Sequence, residues 1–288
     1  MQPTVDPHDL KLIEKNMNHS TVDLGKVWCP RLIFKKPGVA PLDVALYGAI
    51  AMMQKSGMVV EEGQPQKLHT AALTLEILRL TLNLPANKKS ALKESLLNLY
   101  LFGIIQVISL VPDSKAQLAP NDNTQLNLCD WVDGWFCVLM PIRYDIEPNC
   151  AGFCQLDIAD WEHIKLELTR PSDLIKGFAA YIAIQRFIYH SKNTQPICYQ
   201  TQGQLGASYG VKRYSVSRTV QQLHEIWAIV MCKVLWNHNG ELIERNVMAS
   251  ARDDQAFHDY MLANLGTKYV RVLQYLKLFL TIKNKSSK

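Results

Sequence analysis

The residues whose types and spacing suit contact with another molecule lie between Thr201 and Glu225. Lys212, Arg213, Tyr214, Ser215, Ser217, Arg218, Thr219, Gln221 and Gln222 gather cations, hydroxyls and carboxamides within one segment. A guanidinium matches the edge of guanine, a carboxamide that of adenine, and hydroxyls reach phosphates or base edges. Lys212 and Arg213 stand where a helix would begin, beside backbone N–H groups that favour phosphate. At about 100° per residue, Val216, Val220, Leu223 and Trp227 fall together, opposite Tyr214, Ser215, Arg218, Gln221, Gln222 and Glu225. That division is what a helix needs to anchor by one face and present the other.

Bond-making chemistry has no comparable signal. There is no Walker A motif, and Gly203, Gly206 and Gly210 follow no phosphate-loop spacing. No His-x-His pair stands near a nucleophilic Tyr. Cys150 and Cys154 resemble half a zinc site that His163 and Cys198 could complete, but no second closely spaced ligand pair exists, which favours buried cysteines. Asp157, Asp160, Glu162 and Glu167 read as a scattered acidic face. The expectation is a non-enzyme with no catalytic residues, metal or cofactor.

The elements that must position the polar face come next. Thr201–Ser208 reads as a short helix, Tyr209-Gly210-Val211 as a tight turn with Gly210 free to take positive φ, and Lys212–Glu225 as the following helix. Before them Ser172–His190 reads as a long helix with Ser172 as its N-cap. After them come a strand Ile229–Leu235, a turn Asn237–Gly240 and a return strand Leu242–Val247. This hairpin, a wing, offers His238 and Arg245 to an adjacent minor groove. Asp253 to about Ile282 reads as helical.

A similar order stands about 100 residues earlier. Val27–Phe34 reads as a strand or extended arm, Pro41–Lys55 as a helix with Pro in its first turn, and Thr70–Leu82 as a second helix. Asn87–Phe102 reads as a third, closed by Gly103. Strands Ile104–Leu110 and Trp135–Met140 flank a polar loop, Pro112–Thr124. In the third helix Leu92, Ser95, Leu96 and Leu99 face inward, while Asn87, Ser90, Glu94, Leu97 and Leu101 lie opposite. Only Lys88, Lys89 and Lys93 supply charge for a DNA-facing role. This surface suits protein contacts better than bases.

Helix, helix, helix, strand, loop, strand is the winged-helix order. The expected fold is mainly α with small β-wings: two tandem winged-helix domains plus a C-terminal helix. The divisions are an N-terminal arm, 1–26; a first domain for interface or dimerisation, 27–147; a second, DNA-reading domain, 148–252; and a C-terminal helix with a basic tail, 253–288.

Composition bounds this reading. The chain has 288 residues, 20% of them charged and 48% hydrophobic, as in globular proteins. No apolar run approaches a membrane span, and the polar N-terminus is no secretory signal. The seven cysteines, an odd number (Cys29, Cys129, Cys137, Cys150, Cys154, Cys198 and Cys232), suit a reducing compartment, so the expected localisation is cytoplasmic. Of 31 basic residues, six (Lys268, Arg271, Lys277, Lys283, Lys285, Lys288) follow Tyr260 with no acidic neighbour, leaving 25 basic against 26 acidic before it. The net charge of +5 thus resides in a tail that suits a polyanion. Tyr269–Leu280 is apolar on more than one side and suits packing on the body or on a second subunit.

The tandem arrangement resembles the plasmid replication initiators of low-copy bacterial replicons. The likeness rests on Pro41–Ile50, Ala91–Leu99 leading to Phe102-Gly103-Ile104-Ile105, and Gly206–Leu223. It covers most of residues 27–248 and is architectural. The long polar loop of the first half departs from that class, and no long helix joining the halves is evident. The resemblance implies a first domain that mediates dimer contacts and a second that reads the major groove through Tyr214, Ser215, Arg218, Gln221 and Gln222. The expected partners are double-stranded DNA, a second copy in a dimer or higher oligomer on DNA, and replication proteins, with no membrane. The alternatives are a transcription regulator and a primosome-type adaptor that binds mainly proteins.

Overall fold

The computed structural model describes residues 25–61, 64–109, 136–141, 153–188 and 195–274. The N-terminal arm before residue 25, the polar loop Pro112–Thr124, Cys129, Cys150 and the basic tail beyond residue 274 lie outside the described residues.

The first half runs β1 (Lys26–Pro30), α1 (Pro41–Met52), β2 (Lys55–Glu61), β3 (Gln64–Leu73), α2 (Leu75–Thr81), α3 (Lys89–Leu101), β4 (Gln106–Ser109) and β5 (Phe136–Pro141). The second runs β6 (Phe153–Asp157), α4 (Ile158–Glu167), α5 (Pro171–Gln185), α6 (Gln202–Ser208), α7 (Arg213–Glu225), β7 (Ile229–His238), β8 (Glu241–Ser250), α8 (Asp254–Asn264) and β9 (Tyr269–Gln274). Helices dominate, and the strands form antiparallel sheets ordered β1-β6, β2-β3-β5-β4 and β8-β7-β9.

Helix α1 starts at Pro41, which has no N–H to leave unpaired at a first turn. The buried Asp43 carboxylate closes that turn, accepting from Ala40 N at 2.9 Å and from Ser95 Oγ of α3 at 2.6 Å. Residues 43–51 of α1 are all buried, and so are 177–185 of α5. A helix apolar all round belongs at the centre of a fold. The two helices cross at Gly48, where a Cβ would stand 2.3 Å from Ile182 Cδ1 and 3.0 Å from Phe178 Cε1. One core therefore runs through both halves, from Val27 and Leu46 to Phe178 and Leu223. A smaller core (Val230, Val234, Val247, Phe257, Met261, Tyr269) lies between the last sheet and α8.

The contacts between the halves are reciprocal. Strands β1 and β6 pair about Trp28 and Gln155. The turn after α2, where Asn83 has φ +52°, donates from Asn83 Nδ2 to Thr169 O, just before α5 (3.2 Å). The turn after α6, where Gly210 has φ +69°, lies against Val39 O, just before α1.

Several expected elements differ. The second helix is Leu75–Thr81, capped by the Thr74 hydroxyl, and Thr70–Leu73 belongs to β3. Helix α1 ends at Met52 because Lys55 already pairs with Thr70. Helix α5 starts one residue earlier than expected, and Arg170, not Ser172, occupies its N-cap. The C-terminal region is not one helix: α8 ends at Asn264, and β9 pairs with β7, placing Tyr269 in the small core.

Candidate nucleic-acid interface

Helices α6 and α7 form a tight unit. Thr201 Oγ1 accepts from Gln204 N at 3.1 Å, and Gln204 Oε1 accepts from Thr201 N at 2.9 Å, a reciprocal cap for α6. Gly206 lets the chain fold back: a Cβ there would meet Val211 O at 2.2 Å. Helix α7 buries Val216, Thr219, Val220, Leu223 and His224. His224 Nδ1–H donates to Ile229 O at 3.0 Å and ties the end of α7 to the wing sheet.

The opposite face is open. Lys212, Arg213, Tyr214, Ser217 and Arg218 are exposed, Tyr214 at 85%. The side chains of Lys212, Arg213, Tyr214 and Arg218 have no hydrogen-bond or ion-pair partner among the described residues. Ser215, Gln221 and Gln222 are half-buried beside them. Gln221 Nε2 donates to Glu225 Oε1 (3.2 Å), and Gln202 Nε2 to Ser217 Oγ (3.2 Å). Thr219 does not belong to this surface. It is 3% exposed, and its hydroxyl donates to Ser215 O at 3.0 Å. Trp227, expected on the buried stripe, lies beyond the helix at φ +62° and is half-buried.

The wing closes at Asn239-Gly240, both at positive φ (53° and 89°), as a two-residue hairpin turn requires. His238 is exposed at its tip, its ring centroid 5.1 Å from that of Trp236. The Arg245 guanidinium lies 5.4 Å from the Trp236 centroid. Lys233 and Glu244 pair at 2.5 Å. Between the wing, α7 and the start of α6 lies a cleft of about 550 Å³. Arg213, Ser217 and Gln221 form one wall, Lys233, Glu244, Arg245 and Asn246 another, and Gln200–Gly203 a third.

The structure adds a brace that sequence reasoning missed. The Lys268 ammonium sits 5.1 Å from the rings of Tyr199 and Trp236, 5.6 Å from Tyr269 and 5.7 Å from Tyr260, and donates to Tyr260 Oη at 3.0 Å. Cation–π attraction thus holds the β9 segment against the wing. The alternation Tyr269, Val270, Arg271, Val272 was its available signal.

The corresponding surface of the first half is different. Lys88 and Lys89 are exposed and Lys93 is half-buried. Glu76 pairs with Arg79 at 2.5 Å and with Lys89 at 3.1 Å. Arg79 first, then Lys89, hold its carboxyl down at about 2. Leu80 and Leu101 are 57% and 62% exposed. The inward set of α3 is Leu92, Ser95, Leu96 and Leu99, as the periodicity predicts.

The half zinc site resolves into separate roles for its described members. Cys154 is buried and its thiol donates to Cys29 O at 3.3 Å. His163 Nε2–H donates to Ile226 O, and Cys198 bridges Met248 in the sheet. Burial pushes the Cys198 and Cys232 thiols up to about 12. Among the described residues no three His, Cys, Asp or Glu side chains cluster as metal ligands, and no helix is long and apolar enough to cross a membrane. No family model, curated protein or solved structure matches this chain.

Proposed function

We propose that the chain is a sequence-specific, non-enzymatic double-stranded DNA-binding protein with two tandem winged-helix units, acting in the cytoplasm as a replication initiator of a plasmid or other mobile element. The element order supports the fold reading. The first half has α1, β2, β3, α2, α3, β4, β5, with strands ordered β2-β3-β5-β4, so that β2 is an extra edge strand on the β3-β5-β4 core of the order. The second has α5, a one-residue bridge Cys198–Met248, α6, α7, β7 and β8. The observation that carries the function is the α7 face. The side chains of Lys212, Arg213, Tyr214 and Arg218 lie open and unpartnered among the described residues, over a helix whose other side is locked in the core. Arg218 with Gln221 and Gln222 would read base edges, and Lys212 and Arg213 would position phosphate.

Within the same class, a transcription regulator would use the same face on a single operator. A second reading rests on Leu80 and Leu101: the first half would contact protein, as a partner subunit or in a primosome-type adaptor. The test is selection on random duplex DNA at about 150 mM salt, where non-specific attraction is weakened. Enrichment of repeated motifs supports the initiator, and a single operator supports the regulator. No enrichment by folded protein overturns DNA reading in favour of the adaptor.

A further inference from the structure

Strand β8 ends the sheet order β8-β7-β9, so one of its edges faces away from the sheet. In an antiparallel ladder the N–H and C=O of one residue point the same way, and the direction alternates along the strand. Met248 exchanges both groups with Cys198 on the outer side, at 2.7 and 2.8 Å. The backbone N–H and C=O of Asn246 and Glu244, two and four residues earlier, therefore also point outward. They have no partner among the described residues. Both residues line the cleft beside α7.

The lining carries two cationic side chains, Arg213 and Lys233, and one carboxylate, Glu244; Arg245, one residue on from Glu244, sends its guanidinium to the other face of the sheet, over Trp236. Lys233 is held by Glu244, whereas Arg213 is open. Met231 is the one large apolar side chain lining the cleft among the described residues. A strand-adding peptide needs pockets for its alternate side chains. A surplus of cations with free N–H groups and few apolar walls suits a phosphodiester instead.

We propose that this cleft seats the sugar–phosphate backbone beside the groove read by α7. The N–H groups of Glu244 and Asn246, with Arg213 and Ser217, are the donors, and the Glu244 carboxylate is a repulsive wall that fixes where the strand runs. This rests on the DNA-reading proposal for α7 and adds a division of labour to it. The cleft supplies affinity without sequence preference, and the Arg218 side of the helix supplies preference.

The experiment uses the full chain, the duplex enriched by selection and a random duplex of equal length. Binding is measured from 50 to 200 mM salt, with phosphate-ethylation interference on the enriched duplex. Arg213→Ala is expected to weaken both duplexes by the same factor, reduce the salt slope by about one, and erase interference at the phosphates of one strand segment. Glu244→Gln, which keeps size and hydrogen-bonding capacity, is expected to tighten both duplexes equally. If the wild type binds its enriched duplex but Arg213→Ala leaves slope and interference unchanged, the seat is wrong and DNA reading by α7 stands. The same holds if Glu244→Gln changes which bases are preferred, or if an extended peptide competes with DNA and Glu244→Gln does not tighten binding. If folded wild type enriches no duplex, both proposals fall together.

Discussion

Gly210 gives the sharpest test of how the halves fit. Its φ is +69°, and a Cβ built there lies 2.1 Å from Val39 O and 3.3 Å from Val39 C. Gly240 has an equally positive φ of +89° but nothing within 4 Å of its Cβ position. The left-handed region costs an alanine about 1–2 kcal/mol. Part of that is offset by the reduced freedom of the unfolded chain, about 0.4–1 kcal/mol. Gly240→Ala should therefore destabilise by about 1 kcal/mol. Gly210→Ala carries the same term plus a clash with main chain, which cannot rotate aside as a side chain would. The Val39 carbonyl must retreat, pulling on the first turn of α1 that Asp43 closes onto Ala40. Backbone shifts forced by overpacking cost about 1–3 kcal/mol, giving about 2–4 kcal/mol in all. At roughly 2–4 °C per kcal/mol for large domains, the two variants should melt several degrees apart. Equilibrium urea unfolding followed by fluorescence and circular dichroism measures the difference. A Gly210→Ala loss within about 0.5 kcal/mol of Gly240→Ala would refute the close contact between the second turn and the start of α1.

Arg218→Ala should weaken the enriched duplex by about 1–3 kcal/mol, as a lost bidentate base contact does, and leave random DNA nearly unchanged. Lys283→Ala should act weakly and equally on both; equal effects of the two variants would remove α7 from sequence reading. Stability should fall as pH rises above about 9. The Cys198 and Cys232 thiols, held up near 12 by burial, stay protonated in the folded chain while the unfolded chain loses those protons. The slope is then negative, about 1.4 kcal/mol per pH unit for each thiol. A Cys198→Ala/Cys232→Ala protein that declines just as steeply between pH 9 and 10 would contradict this. A fragment of residues 153–274 should lack cooperative melting, because removing α1 bares the Gly177–Gln185 run. Sharp, native-like unfolding of that fragment would show that the halves hold separate cores.

Much of the second half was legible because its signals are local. The period of α7 separates Val216, Val220 and Leu223 from Tyr214 and Arg218 without reference to anything distant. Gly210 and Asn239-Gly240 mark turns by their own backbone freedom. The first half's β3 was hidden because Thr70-Ala71-Ala72-Leu73 contains good helix formers and its polar start shows few strand residues. Pairing with β2 and β5 overrides that propensity. The trace left in the sequence is a period of two: Ala71 and Leu73 are buried while Ala72 is exposed. Strand β1 finds its partner, β6, 127 residues away at Trp28 and Gln155, a pairing no local pattern announces. Thr219 was placed on the surface by type. Its angle brings it toward the core, and its hydroxyl turns back to Ser215 O, a common solution for Thr inside a helix. The cleft walls at Gln202, Lys233, Glu244 and Asn246 were not legible, because a cleft is made by juxtaposing segments that each look ordinary alone.

The shared core bears on how the proposed site would work. Helix α7 is anchored by Val216, Val220 and Leu223, and Leu223 packs near Gly177 of α5, whose next turns meet Gly48 of α1. The turn that starts α7 rests on Val39 of the first half. Its pose is therefore set by residues of both halves, although every candidate base contact belongs to the second. The first half keeps the same helical frame, with Leu92, Leu96 and Leu99 inside. Its outer surface shows Leu80, Leu101 and a Glu76 that pairs with both Arg79 and Lys89. Frame and outer surface are thus separable: packing demands the first in both halves, and the second half sets Lys212, Arg213 and Arg218 beside Gln221 and Gln222 on one helix. A change in the first half's core would then tilt α7 and weaken base reading without touching DNA, whereas a change at Leu101 would leave reading intact.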